Sequence, residues 1–180
     1  MVISLVYIFW MYVILFAIIG AMRGWAKELL VSFSVILALA LNYLLRKYVP
    51  MIMNLPTTDI AFFWIRTWIT IALVYFGYQT VASIGALSGK ARKEKLQDAL
   101  FGAVMGAING YLVVGTLWAY LNEAQYPFPN IFYPPHPDLA AGITTEITRL
   151  MKWMPPYSLG EPGIYFAVII AFIFIIVVYI

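Results

Sequence analysis

Cysteine is absent from the 180 residues, and histidine occurs once. Without thiols the chain forms neither disulfides nor thiolate metal sites. Charge is scarce as well: Asp, Glu, Lys and Arg together make up 11% of the chain, against about 25% in a soluble domain. The net charge of +3 is too small to point to nucleic acid. No G-x-x-x-x-G-K-[ST] loop, G-x-S-x-G elbow or H-E-x-x-H helix occurs. The single imidazole, His136 in FYPPHPD, has Asp138 as its nearest acid in sequence and is expected to be structural or solvated. No apolar run contains histidine, which argues against haem or pigment ligation through imidazole. Catalysis needs convergent titratable groups, so no catalytic, cofactor-binding or metal-binding residue is assigned and no enzyme activity is expected.

What the chain has in excess is apolar surface, with 64% hydrophobic residues and a mean hydropathy of +0.90. Runs long enough to cross a bilayer, about 17–25 residues, occur at Val2–Met22, Leu29–Leu45, Ile60–Leu87, Ala99–Leu121 and Ile164–Ile180. The first run lacks a basic start and an A-x-A cleavage pattern, so it reads as a retained helix rather than a signal peptide. The expected fold is an all-α integral membrane protein, a polytopic bundle of five transmembrane helices. Residues 1–121 carry four of them, 122–163 form an extracytoplasmic loop, and 164–180 add the last.

Lysine and arginine set the orientation. Arg23 and Lys27 follow the first run, and Lys90, Arg92, Lys93 and Lys95 follow the third, on the same side. That side is read as cytoplasmic, with the N-terminus outside and the C-terminus inside. The basic run also suits anionic headgroups. The long loop, rich in proline and aromatics, then lies outside. Prolines forbid a continuous helix there, but Asp138 can cap a short one near 138–154. Leu139, Ile143, Ile147, Leu150, Met151 and Met154 fall on one face at helical spacing. The pattern predicts an interfacial amphipathic helix, serving as cover over the bundle or as a docking surface.

The stretch DALFGAVMGAING repeats glycine at Gly102, Gly106 and Gly110. In water each would cost roughly 1 kcal/mol against alanine in a helix. In lipid, helices associate by close packing, and small residues at every fourth position let backbones approach. A second pair, Gly20 and Gly24, stands at the same side of the first run. The expectation is that Gly20/Gly24 faces Gly102/Gly106; the alternative is a homodimer through the stripe. Arg66 is the one charge expected inside a span, about two turns from Asp59, which reads as an N-cap. An intramembrane charge is a functional candidate by default, weighed against a side chain that snorkels to the interface. Gln79 with Ser83, and Asn109 with Thr116, are candidate hydrogen-bonding groups across the bundle, at about 0.6 kcal/mol each.

GAMRGWAKELL resembles the G-x-x-R-G-x-x-[KR]-E-L signature of the colicin V production protein (CvpA) family. DALFGAVMGAINGYLVV resembles that family's D-x-x-x-G-x-x-x-G-x-x-x-G signature. The likeness covers roughly residues 1–121. It departs where members commonly carry an acidic residue early in the first helix, here Val6, and a basic residue before the last stripe glycine, here Asn109. The fifth span goes beyond the usual four. The resemblance implies a non-enzymatic bacterial inner-membrane protein with a structural or transport/secretion-supporting role. The alternative is a small accessory subunit of a larger energy-transducing (respiratory or photosynthetic) or transport complex. Lipid is the expected partner. Protein partners or a homo-oligomer would use the glycine stripe or the fifth helix, whose apolar surface runs all the way round.

Overall fold

The computed structural model of the protein describes residues 4–79, 92–128, 131–132 and 141–179. The expectations for Ser83, Lys90, His136, Asp138 and Leu139 lie outside these. The elements are α1 (Leu5–Arg23), α2 (Trp25–Tyr48), α3 (Pro50–Met53), α4 (Ile60–Gln79), α5 (Arg92–Glu123), α6 (Ala141–Trp153), α7 (Pro155–Ser158) and α8 (Gly163–Tyr179). The described residues contain no strand. Among the described residues four helices, α1, α2, α4 and α5, are long and apolar enough to cross a membrane, while the apolar stretch of α8, Gly163–Val177, is shorter.

Local chemistry sets the helix ends. The Ser4 side chain accepts from the Val6 N–H at 3.4 Å and starts α1. The Asp59 carboxylate accepts from the Ala61 and Phe62 N–H groups at 2.7 and 3.3 Å and caps α4. Val49 leaves the helical region and ends α2, and Pro50 opens α3 with the φ its ring already fixes. The 32 residues of α5 give a rod of about 48 Å, longer than a hydrocarbon core of about 30 Å. It therefore carries its first two turns and its last two residues beyond the apolar run Ala99–Leu121.

The central element is α5. It runs antiparallel to α1, with Gly20 against Gly102 and Gly106 near one end and Phe9 against Trp118 near the other. It runs parallel to α2, since Asn109 meets Glu28 and Tyr120 meets Asn42. On the other flank of α2, α4 packs antiparallel, joining Arg66 and Thr70 to Asn42 and Gly77 to Ser34. α8 lies antiparallel on α2, with Tyr165 beside Tyr43 and Phe172 beside Phe33.

α6 covers the bundle. Ile147, Met151 and Met154 are buried with Phe9, Val13, Trp118 and Ala119, while Glu146, Arg149 and Lys152 face outward. The chain then turns back across α5 at Gly115. A Cβ there would come 2.9 Å from Met154 Sδ and from Pro155 Cδ. The Tyr111 hydroxyl donates to the Trp153 carbonyl.

Candidate functional site: two buried polar clusters

The first cluster forms where α1, α2, α4 and α5 meet. A single residue, Gly24, joins α1 to α2, at φ +88°. That backbone region is open to glycine and strained for L side chains. Glycine has no side chain with which to cap α2, and Asp98 on α5 supplies the oxygen. Its Oδ1 accepts from the Trp25 N–H at 3.3 Å, and a Cβ at Gly24 would stand 2.8 Å from its Oδ2. Above this cap the two backbones touch. A Cβ on Gly20 would overlap the Gly102 carbonyl oxygen and come 2.7 Å from Gly106 Cα. At Gly106 it would overlap the Phe16 carbonyl, and at Gly110 it would stand 2.9 Å from Val13 Cα.

This approach brings Arg23, Glu28 and Asn109 together. Glu28 is 0% exposed, and each of its carboxylate oxygens has a donor. Arg23 Nη1 gives to Oε1 at 3.1 Å and Asn109 Nδ2 to Oε2 at 2.8 Å. Asn109 Nδ2 also donates to the Glu28 carbonyl at 2.8 Å, and its Oδ1 accepts from Ser32 Oγ at 2.6 Å. Arg23 Nη2 reaches the Tyr78 carbonyl at 3.2 Å, with the guanidinium carbon 4.2 Å from the centre of the Tyr78 ring. Four helices are thereby tied through one carboxylate.

The second cluster lies at the opposite end of the bundle, around Arg66. Its side chain is 6% exposed and forms an ion pair with Glu123, which is 20% exposed. The guanidinium carbon lies 4.3 Å from the ring centres of both Phe62 and Tyr120. Asn42 Nδ2 donates to Tyr120 Oη at 3.1 Å, to Thr70 Oγ1 at 3.3 Å and to the Arg66 carbonyl at 3.4 Å. In place of a snorkelled cation the structure has one folded inward, because Glu123 offers a charge that the interface would otherwise have to supply. Tyr157 on α7 stands near this pair. Partial burial and the Glu123 carboxylate push its hydroxyl up to about 12.

Between the clusters the seam is apolar, built from Val35, Leu112 and Val113, with the Thr116 hydroxyl buried among the helices. Gln79 is exposed at the end of α4 and joins neither cluster. Among the described residues, no group of three or more His, Cys, Asp or Glu side chains converges on a point. Two acidic members escape a reading by apolar runs. Such a reading starts the second span at Leu29, leaving Glu28 in a loop, and starts the outer segment at residue 122, which takes in Glu123. A usable signal lies in the spacing of Glu28, Ser32, Val35, Leu39 and Asn42, which puts all five on one face of α2.

A family model described as Colicin V production protein matches residues 5–133 of the 180, and the chain belongs to that family. The match takes in both glycine regions, both polar clusters and the four long helices. No curated protein and no solved structure matches.

Proposed function

From its membership of the colicin V production family, we propose that this multi-pass membrane protein has a non-catalytic structural or transport/secretion-supporting role in the bacterial cytoplasmic membrane. One observation supports this reading most. Among the described residues the two buried charges, Glu28 and Arg66, are each neutralised by a partner from another helix or across the α1–α2 turn. They act as ties between helices. The glycines Gly20, Gly24, Gly102, Gly106 and Gly110 serve the same end by packing, and Asn109 bonds directly to the buried Glu28.

A second reading, an accessory subunit of a larger energy-transducing or transport complex, draws on the outward faces. α8 turns Phe166, Ile169, Ile170, Ile173 and Val177 away from the bundle, and α4 turns out Trp64, Trp68, Ile71 and Tyr75. The experiment is extraction from native membranes in mild detergent with identification of what co-migrates. A monomer or small homo-oligomer supports the first reading. A stoichiometric large assembly overturns it in favour of the second.

The proposed orientation puts the N-terminus outside and the Gly24 turn and the C-terminus in the cytoplasm. Because the chain has no cysteine, single cysteines placed at Lys90 and at Glu161 report sidedness directly. A membrane-impermeant maleimide added to intact cells should label position 161 and spare position 90.

A further inference from the structure

Between α5 and α8 the chain reaches deep into the bundle and comes back. It leaves α5 at the Glu123 end, where Phe128 and Phe132 pack with Phe63, Tyr120 and Leu121. It has returned to that end by Glu161, which bonds Lys47 and Tyr43 near the end of α2. The turn from α6 into α7 lies far below. Tyr111 donates to the Trp153 carbonyl, Met154 and Pro155 stand against Gly115, and Leu159 packs with Val35, Leu112 and Val113. Tyr111 is twelve residues from one end of the apolar run Ala99–Leu121 and ten from the other, or about 18 and 15 Å. The turn therefore stands midway across a hydrocarbon core of about 30 Å. Trp64 and Trp68, exposed on either side of Arg66 in sequence, put the headgroup level near the Arg66–Glu123 pair, well above Tyr111.

The side of α6 turned away from the bundle is charged. Glu146, Arg149 and Lys152 are exposed there, and Lys152 directly precedes the residue whose carbonyl takes the Tyr111 hydroxyl. Hydrocarbon does not solvate such a face, and the headgroup level is too far for a lysine at this depth to reach. Non-helical backbone within a membrane is tolerated where it is buried in protein or lines a water-filled cavity. The backbone of the turn meets the first condition through Tyr111, and the charges need the second.

We propose that α6 and α7 form a re-entrant element, and that water stands along the Glu146, Arg149 and Lys152 face from the Glu161 side of the membrane down to the level of Tyr111. The result is a one-sided vestibule. It brings small water-soluble solutes to mid-membrane and stops there, because the seam of Val35, Leu112 and Val113 closes the bundle beside its floor.

The absence of cysteine makes the test direct. Lys152→Cys, Ile14→Cys and Glu161→Cys are made singly in the full chain. Ile14 is exposed on α1 next to Val13, which meets Gly110, and so serves as the lipid-facing control at the same depth. A membrane-impermeant maleimide added to intact cells should label position 152 to an extent similar to 161. Position 14 should stay unlabelled until detergent is added. Depth is read separately with Gly115→Cys and Met154→Cys together. A Cβ at Gly115 stands 2.9 Å from Met154 Sδ, a spacing that suits a disulfide with its Cβ atoms about 3.5–4.5 Å apart. Copper phenanthroline should close that disulfide in the membrane, and a thermal melt of the reduced pair in detergent shows that it is folded. A reversed orientation of the whole chain would move the labels at 152 and 161 to the other side together and leave the vestibule in place. Position 152 silent from both sides of the membrane, yet labelled in detergent, overturns the proposal, because lipid or a second protein then covers the face. A folded pair that does not cross-link overturns it as well. The labelling uses exposed positions alone and decides even where the buried pair fails to fold.

Discussion

The ion pair between Arg23 and Glu28 makes an asymmetric prediction. Glu28 is 0% exposed, whereas the Arg23 side chain keeps 21%. Arg23→Leu leaves a fully buried carboxylate with the Asn109 amide and no counter-charge. Removing one partner of a buried pair costs about 3–5 kcal/mol. Glu28→Leu leaves the cation instead, and Arg23 retains the Tyr78 carbonyl and ring as well as a route to the surface. Its cost is mainly the lost hydrogen bonds to a charged group, about 1.5–3 kcal/mol. The double variant has no stranded charge and should fall close to Glu28→Leu, giving a coupling energy about as large as the Arg23→Leu effect, about 3–5 kcal/mol. Reversible unfolding in mixed micelles titrated with a denaturing detergent, followed by the fluorescence of the six tryptophans, measures all three variants. Two results would refute the reasoning: Glu28→Leu as damaging as Arg23→Leu, or single effects that simply add.

Gly106→Leu should prevent assembly of the bundle, because α1 stands on that spot; an intact monomer would show instead that the stripe serves a dimer. Arg66→Gln leaves Glu123 without its cation, and loss of stability is expected in the same unfolding assay. Unchanged assembly and phenotype would end the functional reading of Arg66. Glu161 joins α8 to α2 through the Lys47 ammonium at 2.7 Å and the Tyr43 hydroxyl. These two donors hold its carboxyl below the ordinary carboxylate range. A carboxyl depressed in the folded state stabilises it at every pH above the unfolded value and loses that contribution as pH falls through the folded one. The protection of α8 amides, measured against their intrinsic exchange rates, should therefore be highest at neutral pH and fall on acidification below the normal carboxylate range. Lys47→Ala should move that fall to higher pH.

How much of this could be read from sequence depended on the kind of force involved. The long helices are visible as apolar runs because the bilayer sets their length. The helical segment after the proline-rich loop shows in its spacing of Ile147, Met151 and Met154. Spacing fixes a face but not what the face meets, and Phe9 and Trp118 lie over a hundred and about thirty residues away in sequence. The polar clusters were the harder part. Glu28 and Glu123 sit at the edges of apolar runs, where a charge normally marks the end of a span. They are buried because the turn at Gly24 has a single residue and because α5 continues past Leu121. Neither fact shows in composition. Asn42 and Ser32 lie within an apolar run and attract no notice until the register of α2 against α4 and α5 is known.

The one-residue turn at Gly24 also dictates an order of construction. So short a link forces α1 and α2 to enter the bilayer as a single hairpin, yet the oxygen that finishes the turn comes from Asp98, 73 residues after Trp25. At about 5–20 residues per second, a ribosome needs roughly 4–15 s to deliver it. Through that interval α1 has lipid, or an insertion factor, where α5 will later stand. Although it is made before α2, α4 and α5, α1 is therefore among the last of them to find its permanent neighbour.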